Sequence, residues 1–260
     1  MIRAKKHLGQ HFLKNESVAQ RIAESLTGDG YDSVLEIGPG MGVLTQFLLP
    51  GPWHTKVAEI DGESVMYLEE HYQEALHGNI IPGDFLQLPL ADIFEKPFAL
   101  IGNYPYNISS QIIFKMLENK EWIPEMVGMF QKEVAERLVA EPGSKTYGIL
   151  SVLSAAFYDR EYLFTVEPHE FNPPPKVRSG VIRFKRKASQ ETLDCDAAKF
   201  KMVVKMAFNQ RRKTLRNALK GLNLPVDSIP QEFWAKRAEQ LHYLQFVTIT
   251  KAFEHASESR

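Results

Sequence analysis

A single cysteine, Cys195, stands in the 260-residue chain, which excludes an intrachain disulfide and any zinc site built from several thiolates. That usage predicts a reducing, cytoplasmic setting. Net charge is scarce as well: the formal value is -1, so no global basic signature of a nucleic-acid binder is present. Long apolar runs are missing. The longest, Ile149-Leu-Ser-Val-Leu-Ser-Ala-Ala-Phe157, is too short and too rich in serine to span a bilayer. The N-terminus lacks the apolar core of a secretory signal. Its basic start would suit a mitochondrial presequence, but it runs straight into His7-Leu-Gly-Gln-His-Phe-Leu13, which reads as folded-domain sequence. Internal repeats and low-complexity tracts are also lacking.

What the chain does have is an ordinary globular composition, 44% apolar and 24% charged, with room for one large α/β domain and a small appendage or for two modest domains. Any nucleic-acid contact must come from local clusters. Two exist: Arg3, Lys5, Lys6 and His7 near the start, and Gln210-Arg-Arg-Lys-Thr-Leu-Arg-Asn-Ala-Leu-Lys220, which carries five cations and no acid.

Four short β-type runs alternate with helical patterns. Ser33–Ile37 ends in a glycine-rich turn; Lys56–Ile60, Asn79–Ile81 and Phe98–Ile101 follow, with a surface-helix pattern over 63–75. Such alternation predicts βαβ units and a mainly parallel sheet, whose ligands bind beyond the carboxyl ends of the strands. Each of these four ends carries a glycine or polar group suited to that. Met129–Leu138 reads as an amphipathic helix, and 161–166 and 180–184 as late strands around the stiff loop Phe171-Asn-Pro-Pro-Pro-Lys-Val177. After Lys187, strand patterns fade, and helical segments near 196–209, 211–221, 230–240 and 244–256 suggest a small helical domain.

Glu36-Ile-Gly-Pro-Gly-Met-Gly42 follows a strand and precedes a helix, so glycines 38, 40 and 42 let backbone approach a ligand closely. The Gly-x-Gly-x-Gly spacing differs from the dinucleotide fingerprint and favours an amino-acid moiety across the turn over a pyrophosphate. Glu59 ends the second strand, where a carboxylate can accept both hydroxyls of a ribose; the alternative is a solvated strand-end acid. Asp84 ends the third and can accept from an adenine amino group, or can simply cap the turn before Phe85.

Asn103-Tyr-Pro-Tyr106 points to the reaction. An adenine amino nitrogen is a poor nucleophile because its lone pair is delocalised into the ring. Acceptors for both N–H groups would free that lone pair, and the Asn103 side-chain oxygen with the Tyr104 carbonyl would supply them, Pro105 fixing the turn. Tyr106 would stack on the base. No carboxylate is required, since the proton that the methyl replaces can leave to solvent, and no metal, since in-line transfer from sulfonium to nitrogen is catalysed mainly by positioning. The base must be extruded or taken from a loop; Phe171 is a candidate for its opposite face, or else a core aromatic.

Together these residues closely resemble the KsgA family of ribosomal RNA adenine dimethyltransferases. The likeness covers nearly the whole chain: Lys5-Lys-His-Leu-Gly-Gln-His-Phe-Leu13, Leu35-Glu-Ile-Gly-Pro-Gly-Met-Gly42, Glu59-Ile-Asp61, Gly83-Asp84, Asn103-Tyr-Pro-Tyr106, Phe130-Gln-Lys-Glu-Val-Ala-Glu-Arg137, Pro173-Pro-Pro-Lys-Val177 and Phe208-Asn-Gln-Arg-Arg-Lys-Thr-Leu-Arg-Asn217. The resemblance implies a Rossmann-like class I domain over 1–187, an all-helical domain over 188–260, and S-adenosylmethionine as methyl donor without a metal. It implies dimethylation of two adjacent adenosines in the 3′-terminal hairpin of small-subunit rRNA and a part in small-subunit assembly; a monomer is expected, although the sequence does not fix the oligomeric state. Cofactor contacts then fall on His11, Leu13, Gly38, Glu59, Asp84 and Asn103, with Gly40, Gly42, Ile60 and Phe85 beside them. Position 11 departs from the family, where asparagine is common; histidine still donates one hydrogen bond.

The basic segment acquires a role in the same way. On a helix, Arg212, Arg216 and Lys220 would line one stripe beside Arg211 and Lys213, a solvated face by itself but an RNA-docking surface given the resemblance. Competing readings are an Erm-like methylase of large-subunit RNA, a non-catalytic assembly factor on the same fold, and a small-molecule methyltransferase, which would leave the proline loop and basic appendage without a purpose.

Overall fold

A computed structural model of the chain describes residues 4–188 and 193–258. Its strands are β1 (Phe12–Leu13), β2 (Ser33–Ile37), β3 (His54–Glu59), β4 (Ile80–Pro82), β5 (Phe98–Asn103), β6 (Glu125–Gln131), β7 (Tyr158–Val166), β8 (Phe171–Asn172) and β9 (Ser179–Arg186). Seven of them form one sheet in the order β4-β3-β2-β5-β6-β9-β7, while β1 and β8 pair antiparallel as a separate ribbon. From β4 through β6 every pairing is parallel, and β9 runs antiparallel to β6. The central strands are nearly continuous apolar runs, Phe98-Ala-Leu-Ile101 above all, because a parallel sheet is covered on both faces.

From β2 the chain builds outward through β3 to β4, then returns to β2's other side with β5 and β6. The direction of winding therefore reverses between β2 and β5, which pair directly with Glu36 opposite Ile101. At such a switch point two neighbouring strand ends splay their connections apart and leave a crevice. The glycine turn leaves β2 there, and Asn103 closes β5.

Three expectations need correction. The helix expected over 129–138 begins only at Lys132, because Met129, Phe130 and Gln131 end β6. Phe130, Val134 and Leu138 happen to be four residues apart, which mimics one helical face across the strand end. Second, the compact units are not cut once. One comprises the described residues of Met1–Ala135 and Arg160–Arg186, the other those of Glu136–Asp159 and Lys187–Arg260. The apolar run Ile149–Phe157 is a buried helix that packs on the helices Ala197–Asn209 and Tyr243–Glu258, so it belongs with them. In this helical unit the helices Ala197–Asn209 and Tyr243–Glu258 pack on each other, and Phe200, Val203, Val204, Phe246 and Ile249 are fully or nearly fully buried. The Tyr147 hydroxyl donates to the Leu241 carbonyl at 2.9 Å.

The expected helix over 211–221 is also broken. Residues 211–213 form a turn, helix Leu215–Ala218 is a single turn, and Lys220–Leu222 is a 3-10 turn. Thr214 bridges Arg237, and the Leu215 amide donates to the Lys236 carbonyl at 2.8 Å, so backbone groups that a longer helix would use are engaged elsewhere. The stripe of Arg212, Arg216 and Lys220 on one helix therefore does not form. Arg212, Lys213, Arg216 and Lys220 remain exposed, with the Arg216 guanidinium 6.0 Å from the Trp234 ring centre. Arg211 is withdrawn: it pairs with Glu239 at 2.6 Å and donates to the Lys145 carbonyl at 2.7 Å. Among the described residues, no helix is long and apolar enough to cross a membrane.

Candidate active site

The crevice at the switch point holds a cavity of about 240 Å³. Its walls come from the ends of four parallel strands and from the N-terminal segment His7–Phe12. Of the residues expected to hold a cofactor, His11, Gly38, Gly40, Glu59, Ile60, Asp84, Phe85 and Asn103 line it. Leu13 and Gly42 do not. Leu13 is buried in the hydrophobic core with Ala19, Ile22 and Phe171, and Gly42 lies against Tyr72, whose hydroxyl donates to its carbonyl at 3.2 Å.

Gly38 has φ of 67°, and a Cβ built on it would meet no atom within 4 Å. A side chain there would be strained and would project into open space, the signature of a backbone kept bare. Beside it, Glu59 is 3% exposed. One carboxylate oxygen accepts from the Gly40 amide at 3.0 Å and the other from the Asp61 amide at 2.8 Å. These bonds fix the carboxylate plane and leave lone pairs on both oxygens for a diol. Burial pushes the Glu59 carboxyl above its ordinary range, against the lowering pull of those amides. Ile60, 54% exposed, places an apolar side chain at the mouth. Asp84 does cap the turn Phe85–Gln87, through one oxygen to the Leu86 amide at 2.9 Å; its second oxygen is available to a ligand. A glycine cradle, a buried diol acceptor and a polar–apolar pair for a purine suit an adenosyl group bearing an amino acid.

At the other end, the Asn103 side-chain nitrogen donates to the His11 carbonyl at 2.9 Å. A carbonyl can only accept, so this partner assigns nitrogen and oxygen unambiguously and leaves Oδ1 as an acceptor at the cavity wall. Tyr104 follows with a ring 1% exposed, its hydroxyl donating to the Val127 carbonyl at 3.3 Å. A Cβ on Gly128 would stand 1.9 Å from that ring, which explains the glycine in the middle of β6. The Tyr106 hydroxyl bonds Ser179 Oγ at 2.6 Å, and its ring stacks on His11 at 5.4 Å between centres. Phe171, by contrast, is 1% exposed, pairs with Leu13 in the β1–β8 ribbon and does not line the cavity. It is a core residue; the aromatic neighbour of Tyr106 is His11.

Residues of the wall that sequence reasoning missed include Leu8, Gln10 and Phe12. The segment is tied down by Lys5, whose Nζ donates to Asp61 and pairs with Glu63 at 3.0 Å, and by Gln10, which reaches the other Asp61 oxygen at 3.3 Å. Asp61 in turn caps the helix Gly62–His71 that follows Glu59. Lysine, glutamine and aspartate so far apart in sequence carry no signal of this contact.

The sequence profile of the family described as Ribosomal RNA adenine dimethylase matches residues 1–254. The chain belongs to that family. The chain is similar to the Ribosomal RNA small subunit methyltransferase A of Cytophaga hutchinsonii, 57% identical over 96% of each chain. In structure, the chain is similar to a dimethyladenosine transferase from Plasmodium falciparum, with TM-score 0.81 and 26% identity over 95% of this chain and 98% of that one. It is also similar to the 23S rRNA methyltransferase ErmE, with TM-score 0.72 and 25% identity over 94% and 99%.

Beneath the glycine turn the dimethylase fold buries one more carboxyl. Glu36 is 2% exposed and accepts from the Thr45 hydroxyl at 2.6 Å. Burial, with Glu59 nearby, pushes it from 4.5 to about 8 despite that bond. Between these two values the folded chain holds a proton that the unfolded chain has released, so stability falls as pH rises through the window. Thermal melts of the wild type and Glu36→Gln at pH 5.5 and 8.5 should therefore diverge. The variant is expected to gain roughly 5 °C on the wild type between the two conditions, and parallel melts would contradict the assignment.

Proposed function

We propose that the protein uses S-adenosylmethionine to dimethylate the N6 amino groups of two adjacent adenosines in the 3′-terminal hairpin loop of small-subunit rRNA. It does so as a cytoplasmic monomer acting on the subunit or its precursor. The observation that carries this reading is the Asn103 amide, held by the His11 carbonyl so that its oxygen is left to accept. When bound, the cofactor supplies an electrophilic methyl group on sulfonium sulfur. The chain's own residues would do the rest: Gly38 and Gly40 admit the methionyl portion, Glu59 takes the ribose hydroxyls, and Ile60, Asp84 and Phe85 hold the adenine. Asn103 Oδ1 and the Tyr104 carbonyl would accept from the target amine, freeing its lone pair, while Pro105 holds the turn and Tyr106 stacks the base. The small-subunit reading is supported by close relatives named for that subunit. Offering labelled cofactor with each ribosomal subunit separately tests it: label is expected in the small subunit, and label in the large one would favour the Erm-like alternative.

Docking would fall to the exposed cations Arg212, Lys213, Arg216 and Lys220. A double substitution, Arg212→Glu with Lys213→Glu, should weaken small-subunit binding about tenfold or more at moderate salt. It should flatten the salt dependence by roughly one unit of slope per lost phosphate contact. Cofactor affinity should not move. Unaltered particle affinity would remove these residues from the docking surface.

A further inference from the structure

We propose that Lys115 is a positioning residue for the adenine end of the cofactor site, setting the turn Asp84–Leu88 from beneath. Its Nζ donates to two backbone carbonyls of that turn, Leu86 at 3.0 Å and Leu88 at 2.7 Å. The same ammonium lies 5.0 Å from the centre of the Phe85 ring. Among the described residues no carboxylate pairs with Lys115, although Asp84 and Glu118 bear on it electrostatically. A half-buried lysine that turns inward onto backbone, instead of outward to water, gives up solvation and must recover it from these contacts. Burial accordingly lowers its pKa from the ordinary value.

The position of the turn matters because Asp84, Phe85 and Leu86 line the cavity while Lys115 does not. The Asp84 oxygen that caps the Leu86 amide fixes the carboxylate relative to this turn. Without the ammonium, the Leu86 and Leu88 carbonyls lose their donor and Phe85 loses the cation over its face. The turn is then free to shift by the few tenths of an ångström that separate a good hydrogen bond from a poor one. Lys115 also sits on the helix Ser109–Glu118, which follows the Tyr106–Ile108 turn directly. One short helix thus links the segment that holds the target amine to the turn that holds the cofactor's adenine.

This inference rests on the cofactor placement proposed above, and titration calorimetry separates the two. The wild type, Lys115→Met, Lys115→Gln and Lys115→Arg are each titrated with S-adenosylhomocysteine and with 5′-methylthioadenosine, which keeps the adenosine but lacks the amino-acid end. Lys115→Met and Lys115→Gln are expected to weaken both ligands by the same factor, about tenfold, the scale of one or two lost charged hydrogen bonds. Lys115→Arg should recover most of it. In turnover, KM for S-adenosylmethionine should rise by that factor with kcat at saturation unchanged, and melting temperatures should stay within a few degrees. Affinities unchanged in both Met and Gln variants would overturn the assignment. So would a loss confined to S-adenosylhomocysteine, or one that arginine does not repair. A wild type that binds neither ligand would instead sink the cofactor reading itself.

Discussion

Asn103→Ala is expected to lower methyl transfer to rRNA by about 10²–10³-fold, the usual loss when one preorganised hydrogen-bonding group is removed from a reacting centre. The amide does two things at once. Its nitrogen is spent on the His11 carbonyl, and that bond holds the side chain so that the oxygen can accept from the target amine. Alanine removes both. Asn103→Asp keeps an acceptor for the amine but sets a carboxylate against the His11 carbonyl, so its activity should fall between those of the wild type and the alanine variant. Single-turnover rates with saturating labelled cofactor and under-methylated small subunits measure this, and S-adenosylhomocysteine affinity should move by no more than about threefold. Full activity in Asn103→Ala would contradict the assignment. A loss of cofactor affinity matching the loss of rate would make Asn103 a cofactor ligand only.

Glu59→Gln should cost S-adenosylhomocysteine about 100-fold in affinity. Each carboxylate oxygen already accepts one backbone amide, Gly40 at 3.0 Å or Asp61 at 2.8 Å. An amide has one oxygen to offer, so in either orientation its NH₂ confronts one of those N–H groups, and the side chain must rotate or the turn must open. The ribose then loses one acceptor outright and correct geometry at the other, about 1.5–3 kcal/mol for each hydrogen bond to a charged group. The pH dependence follows from the same burial. Because the Glu59 carboxyl is raised, affinity in the wild type should climb as pH rises through its folded pKa and the diol acceptor ionises. Glu59→Gln should lack that rise. Calorimetric titrations from pH 5 to 8 check both statements, and equal affinity in the variant at pH 8 would remove Glu59 from the ribose.

The site was largely legible because its polar groups stand at strand ends. Glu59 and Asn103 each close an apolar run, so the sequence itself marks where the sheet stops and a ligand can begin. Gly38 was legible because a glycine directly after an apolar strand marks a turn, and its φ of 67° beside open space is one that glycine adopts at least cost. What escaped had its cause in tertiary contact. Leu13 follows the cavity residue Phe12 and Phe171 opens the proline loop, but their pairing across β1 and β8 places both in the core. The end of β6 was hidden because Phe130 keeps step with the helix after it, and because Gly128 interrupts the run for the sake of the Tyr104 ring. The helix Ile149–Phe157 carries no charge on any face and only Ser151 and Ser154 as polar residues, which says that it is buried without saying against what. Lys115 looked like any lysine on a helix; only the two carbonyls that accept from it distinguish it.

The most direct test of the account is nucleoside-resolved mass spectrometry of rRNA from under-methylated small subunits incubated with the protein and S-adenosylmethionine. The account predicts N6,N6-dimethyladenosine at two neighbouring positions near the 3′ end, formed about 10²–10³-fold more slowly with Asn103→Ala. Ribosomal RNA left without new methyl groups, or methylated at an atom other than adenine N6, would contradict it.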